Sequence, residues 1–170
     1  MSELAGSKTE GDLKDAFAGE SQANRRYLAF AKQADVEGFP QVAKLFRAAA
    51  EAETVHAHAH LRVMGGVGST EENLREAIGG ETHEFTSMYP RMVADAEDEG
   101  FKRARRSFDY ANQVEEIHAG LFQKALDSLG QGPEALDYYV CPVCGNTVEG
   151  APTEACPICG TAGDRFVRVE

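Results

Sequence analysis

The chain has 170 residues, 42% of them apolar, and a net charge of −11 from 17 basic and 28 acidic side chains. That is enough to bury one good core with a small second module attached, and the acid excess argues against nucleic acid or an anionic membrane surface as a partner. Residues 1–14 lack the apolar run of a signal peptide and no window approaches eighteen apolar residues, so the expectation is a soluble cytoplasmic protein.

Thr9, with Asp12 three residues on, is placed to cap a first helix whose apolar positions Leu13, Ala16, Phe17, Tyr27, Leu28, Ala31 and Ala34 keep helical spacing to about Val36. Gly38 ends it. Pro40 suits the first turn of a second helix carrying Val42, Leu45, Phe46, Ala49, Val55 and Leu61 inward and stopping at Gly65-Gly66. Ser69 or Thr70 caps a third, acidic at its start and closed by Gly100, with Gly79-Gly80 and Pro90 expected to kink or loosen it. The fourth runs from about Phe101 to Leu129 and is closed by Gly130-Gln131-Gly132-Pro133.

Four long helices with short connections predict an all-α four-helix bundle, and the remaining residues change to a short Gly-, Pro- and Cys-rich β/loop module. The predicted domains are 1–134 and 135–170. All four cysteines lie in the second, as Cys141-Pro-Val-Cys144-Gly and Cys156-Pro-Ile-Cys159-Gly. In a reducing compartment that pattern signals metal rather than disulfide. Four thiolates make a tetrahedral site for zinc or iron.

Two segments sixty-two residues apart, Glu53-Thr-Val-His56 and Glu115-Glu-Ile-His118, each set a carboxylate and an imidazole three residues apart on one helix face. Glu20 is about as far into the first helix as Glu53 and Glu115 are into theirs, roughly 16 to 21 Å from the helix start at 1.5 Å per residue. Glu81 and Glu84 join that level if the third helix starts near Thr70 and continues through Gly79-Gly80. Five carboxylates cannot all ionise in a dry core without cations, since like charges and desolvation both raise their pKa values. Two divalent ions offset most of that charge, and the oxygen and imidazole set suits iron or manganese better than structural zinc. The competing interpretation, a solvated acidic face, is disfavoured because Glu53 and Glu115 sit among Ala, Val and Ile.

Glu20-Ser-Gln-Ala, Glu53-x-x-His56, Glu81-x-x-Glu84 followed by Met88-Tyr89-Pro90, Glu115-x-x-His118 and the paired Cys-Pro-x-Cys-Gly segments together resemble the rubrerythrin family. The resemblance covers essentially the whole chain and implies a ferritin-like di-iron bundle with a C-terminal rubredoxin-like iron domain. It implies that Glu53 and Glu115 bridge two irons, that Glu20, Glu81 and Glu84 are terminal carboxylates, and that His56 and His118 are terminal imidazoles, with Glu84 and His56 exchanging on one iron upon reduction. Tyr27 and Tyr89 match the family's tyrosines beside the metals, although core packing explains them nearly as well. The attachment to a di-iron bundle turns the odds at Cys141, Cys144, Cys156 and Cys159 towards iron, a one-electron relay.

The remaining candidates have plainer readings. His58 and His60 are expected at the solvent or rim, although His56 with His60 has the spacing of a zinc pair; His83 points away from its neighbouring ligands. Arg103, Arg105 and Arg106 read as a solvated face.

The function implied is reduction of hydrogen peroxide to water in oxidative stress defence, with electrons from an external NAD(P)H-dependent reductase or a rubredoxin, since no dinucleotide-binding glycine motif occurs. The alternatives are a ferritin-like ferroxidase or iron-storage protein, and an inert bundle carrying a structural zinc module. His118 lies about eleven residues, roughly 16 Å, from its helix end. That distance suggests that the cysteine module begins far from its own chain's site and serves a partner's, in the head-to-tail homodimer that the family implies. Residues 65–69 reach at most about 18 Å, too short for a crossover between parallel second and third helices. A domain-swapped dimer is therefore expected.

Overall fold

The first helix of the computed structural model, α1, spans Lys8–Val36 and is capped by Ser7 rather than Thr9. Ser7 Oγ accepts from the Glu10 amide at 3.1 Å while the Glu10 carboxylate accepts from the Gly6 amide at 2.7 Å. This reciprocal pair satisfies two end amides at once, which is why the cap falls before Thr9. Residues 4–131 and 136–170 are described, and they form two units, Met1–Gly68 and Ser69–Glu170. The expected domain boundary at 134/135 and the end of the closing run at Gly132-Pro133 lie outside the described residues.

In the first unit, Gly38 at φ +81° turns the chain into α2, Pro40–Val63, with Pro40 in its first turn as expected. Close approach of the two helices follows from small side chains: Ala31, Ala34, Ala43, Ala50 and Ala57 are all buried. Asn24, 7% exposed, is the buried polar residue of this seam. Phe30, Val42, Leu45 and Val55 are exposed, contrary to the inward places expected for the last three. A two-helix hairpin has only one seam, so the rest of its apolar stripe has nothing in the unit to face.

In the second unit, Ser69 and Glu72 form a full capping box at the start of α3, Thr70–His83. The helix runs through Gly79-Gly80 despite their poor propensity. In place of a kink at Pro90 there is a wider π-helical turn, Glu84–Met88, before α4, Tyr89–Asp98. Pro90 has no amide for the carbonyl four residues back, and the widened turn, in which the Tyr89 amide reaches Glu84 O, takes up the mismatch. These segments pack on α5, Lys102–Asp127. The expected third helix is thus α3, the π turn and α4 together.

The cysteine-rich end forms a three-stranded antiparallel sheet in the order β2-β1-β3, from β1 Tyr138–Val140, β2 Thr147–Glu149 and β3 Val167–Arg168. Phe166, Cys141 and Cys156 make its core, with Tyr139, Val148 and Ile158 against them. This module lies along α5. Lys124 pairs with Glu149, and a side chain added at Gly145 would begin 3.8 Å from Val114 Cγ1. Among the described residues no helix is long and apolar enough to cross a membrane.

Candidate metal centres

In the first unit, α1 supplies Glu20 and α2 supplies Glu53 and His56, and one ligand atom from each lies within 4.8 Å of the others. His56 Nδ1 is 3.1 Å from Glu53 Oε2. The carboxyl groups of Glu20 and Glu53 share a hydrogen bond, which raises the pKa of Glu20 and lowers that of Glu53.

In the second unit, Glu81 from α3 and Glu115 and His118 from α5 form a similar group, again within 4.8 Å. His118 Nδ1 is 2.8 Å from Glu115 Oε2 and 3.8 Å from Glu81 Oε1. Burial, then the Glu115 charge, raises the pKa of Glu81 and of Glu84. Glu84 stands outside the tight group but lines the same open cleft of about 560 Å³, which Gly80, Ala77 and Glu76 complete. Its place at the start of the π turn sets it apart from Glu81.

The four cysteines form the third group. Cys141 and Cys159 sulfurs are 3.5 Å apart, as are those of Cys144 and Cys156, so the thiols are free and close to the roughly 3.8 Å edge of a tetrahedron with 2.3 Å metal–sulfur bonds. Gly145 and Gly160, at φ +85° and +77°, each return an amide to the carbonyl of the first cysteine of their knuckle. Burial opposes charge on Cys141, yet the amides of Cys144 and Val143 bring its thiol down to about 6. Cys156 is lowered in the same manner, against its burial, by the Cys159 and Ile158 amides, whereas burial pushes Cys144 up. Buried thiols with amides directed at two of them suit a thiolate-bound ion.

A rubrerythrin family model matches residues 12–126. The chain belongs to the rubrerythrin family. It is 40% identical to Rubrerythrin-2 of Clostridium acetobutylicum over 91% of this chain and 92% of that protein, and 37% identical to the rubrerythrin of Porphyromonas gingivalis over 92% and 87%. Among solved structures, nigerythrin in its mixed-valence state superposes with a TM-score of 0.58 at 33% identity, covering 95% of this chain and 86% of that one. The chain is thus a di-iron oxidoreductase of oxidative stress defence, with a ferritin-like helical part and a rubredoxin-like iron centre. The donor sets fit these groups: acceptor atoms crowd together at each carboxylate–imidazole cluster, and four thiols crowd together in the module.

The structure brings six of the seven predicted carboxylate and imidazole residues into two clusters of three, with Glu84 in the cleft of the second. Tyr89 is half-buried, its ring 6.4 Å from that of Phe108, and burial followed by the charges of Glu84, Glu115 and Glu81 keeps its hydroxyl protonated. The Tyr27 ring lies 6.4 Å from that of Phe30 and 6.0 Å from that of Phe46. His58 and His83 are exposed, and His60 stands outside the Glu20 cluster. Arg103, Arg105 and Arg106 are all exposed, as a solvated face requires; Arg105 pairs with Glu97, and Arg103 and Arg106 border a cleft with Val143 of the cysteine module.

The helix-length argument for a distant cysteine module is not met. The module folds back along α5, placing Thr147 Oγ1 3.0 Å from His118 Nε2 of the same chain. Distance along a helix does not measure where a following chain returns. Thr147, Asn24 and Thr54 carry no ligand signature in the sequence, and only their contacts reveal them.

Proposed function

We propose that the protein reduces hydrogen peroxide to water in the cytoplasm, with Glu20, Glu53, His56, Glu81, Glu84, Glu115 and His118 holding two irons and Cys141, Cys144, Cys156 and Cys159 holding a third. The supporting observation is that one chain carries both carboxylate–imidazole clusters and a compact four-thiol site. Iron held by these residues would supply the two electrons that peroxide reduction needs and a positive charge beside the peroxide oxygens. The overall balance is one peroxide, two electrons and two protons to two waters.

The protein's own groups bind and orient. Glu53 and Glu115, each beside an imidazole three residues on, would be the carboxylates shared by the two irons. Tyr89, whose hydroxyl feels the charges of Glu84, Glu115 and Glu81, keeps its phenolic proton and is the donor we assign to a peroxide oxygen. Glu84, outside the tight cluster, is the carboxylate we assign to exchange with His56 on one iron. The four-cysteine site of residues 135–170 relays electrons to the bundle of residues 1–134 from an external NAD(P)H-dependent reductase or a rubredoxin.

The assembly we propose is a head-to-tail homodimer in which the α1–α2 hairpin of one copy completes the α3–α5 site of the other. α3 begins at Thr70, leaving residues 64–69 to join α2 to α3. Six residues reach at most about 22 Å, whereas a crossover back along α2, of 24 residues, needs about 36 Å. Exposed Leu45 and Val55 give the hairpin an apolar face for a second copy to cover. The cysteine module then attends the site that its own His118 completes.

The test is anaerobic peroxide consumption by the iron-loaded protein with a reduced rubredoxin as donor. Glu53→Ala and Glu115→Ala should each lower turnover at least a hundredfold, and Cys141→Ser should keep one reducing turnover while losing sustained turnover. Unchanged consumption in all three would overturn the proposal.

A further inference from the structure

Each cysteine knuckle ends in a glycine, and the residue after that glycine closes it: the Asn146 carbonyl accepts from the Cys141 amide at 2.8 Å and the Thr161 carbonyl from the Cys156 amide at 2.7 Å. The backbone donors match as well, since the amides of Val143 and Cys144 serve the Cys141 sulfur and those of Ile158 and Cys159 serve Cys156. The side chains differ. Thr161 Oγ1 stays with its own knuckle, 3.1 Å from Cys159 Sγ, whereas Asn146 reaches across to the other and places Nδ2 3.7 Å from Cys156 Sγ. Cys156 thus gains a third donor.

Asn146 is 1% exposed, and its Oδ1 is buried with no hydrogen-bond partner among the described residues. An apolar side chain of similar size would fill this place without leaving a buried acceptor unpaired. What only the amide supplies is the donor. Turning the amide over would set Oδ1 against the sulfur, and neither a carbonyl oxygen nor a metal-bound thiolate has a proton to share. The Nδ2 end therefore faces Cys156 when the site holds a metal.

We propose that Asn146 tunes the reduction potential of the four-cysteine iron centre, donating a side-chain N–H to the Cys156 sulfur and so favouring the reduced form. The inference rests on iron at that site. Four thiolates around ferrous iron carry one more negative charge than around ferric iron, and a donor aimed at sulfur is held more strongly by the more negative form. Asn146 thereby makes the relay easier for the external donor to fill and restrains how readily the electron is passed on.

The experiment uses the full chain with iron at the four cysteines, as wild type, Asn146→Leu and Asn146→Asp. Redox titration following the red ferric absorption should show Asn146→Leu with a reduced-to-oxidised ratio about three- to tenfold lower at a given potential, a shift of about 28 to 59 mV at 59 mV per tenfold for one electron. Asn146→Asp keeps the shape but exchanges the donor for an acceptor, and should lie lower still. A second measurement depends on no variant: in wild-type chain loaded with cadmium-113, the Asn146 side-chain amide proton, assigned through its own Cβ protons, should show a scalar coupling to the metal across the N–H···S bond. An Asn146→Leu potential at or above that of the wild type, or a cadmium-loaded wild type without the coupling, overturns the proposal. If Asn146→Leu does not hold iron, the Asn146→Asp potential and the coupling decide in the same sense. The coupling in a chain whose cysteines take up no iron supports the contact and overturns instead the iron reading on which the proposal rests.

Discussion

The side-chain amide of Asn24 donates to the Ala50 carbonyl at 2.7 Å and to Thr54 Oγ1 at 2.8 Å, fastening α1 to α2 one turn beyond Glu20 and beside Glu53. Thr54 Oγ1 passes its own proton to the Ala50 carbonyl, so the three groups form a closed set. Asn24→Ala removes the two bonds across the seam, and the one its Oδ1 accepts from Arg25 Nε, and should cost about 1–3 kcal/mol, read as a lower urea midpoint. It should also weaken ferrous binding, because Glu20 and Glu53 lose the bond that sets their spacing. A variant with wild-type midpoint and wild-type metal affinity would show that the alanine packing alone sets the seam.

Hairpin exchange has a distinctive genetic signature. In an exchanged dimer each site takes Glu53 from one copy and Glu115 from the other. Co-expression of a Glu53→Ala chain with a Glu115→Ala chain should therefore give heterodimers with one doubly altered site and one intact site. Purified heterodimer should recover about half the peroxide turnover of the wild type, although each homodimer is inactive. No recovery would mean that each chain completes its own site.

With its carboxylates metal-free, the protein should lose stability as pH rises. Burial raises Glu81 and Glu84, each further raised by the Glu115 charge, and the bond to Glu53 raises Glu20, all above the ordinary 4.5. A group raised on folding contributes stability that is fully present below its unfolded value and lost as pH climbs through its folded value. Glu53 runs the other way: lowered by Glu20 and then His56, it contributes above 4.5 and loses that contribution as pH falls through its folded value. The urea midpoint of protein with metal-free carboxylates should thus decline from about pH 4.5 towards neutrality, provided the four-cysteine site is loaded so that the Cys141 thiol, lowered to about 6, does not add an opposing rise. Ferrous or manganous ion should abolish that decline by neutralising the carboxylates. Glu81→Gln should flatten the decline without metal at the carboxylates, and a midpoint that rises across the same range would contradict the assignment.

Much of the site is legible in the sequence because its signals are local. Glu53 with His56 and Glu115 with His118 need only helical periodicity, and Ser69 with Glu72 announces where α3 starts. That start matters beyond the helix itself, since it brings Glu81 to the level of Glu115 and shortens the loop before it. What stays hidden depends on partners distant in sequence. Leu45 and Val55 carry the apolar spacing of buried residues but lie exposed on a hairpin whose seam is made of alanines. The π turn at Glu84–Met88 answers to Pro90, yet the same proline is equally consistent with a kink. Thr147 lies 29 positions from His118, and no spacing rule links a strand hydroxyl to a helical imidazole.

The most direct test of peroxide reduction is stopped-flow mixing of the fully reduced, iron-loaded protein with one equivalent of hydrogen peroxide or of dioxygen, following the red colour of the ferric four-cysteine centre. Oxidation by peroxide should be stoichiometric and much faster than oxidation by dioxygen. Equal rates with the two oxidants, or a four-cysteine centre that stays colourless while peroxide is consumed, would contradict the account.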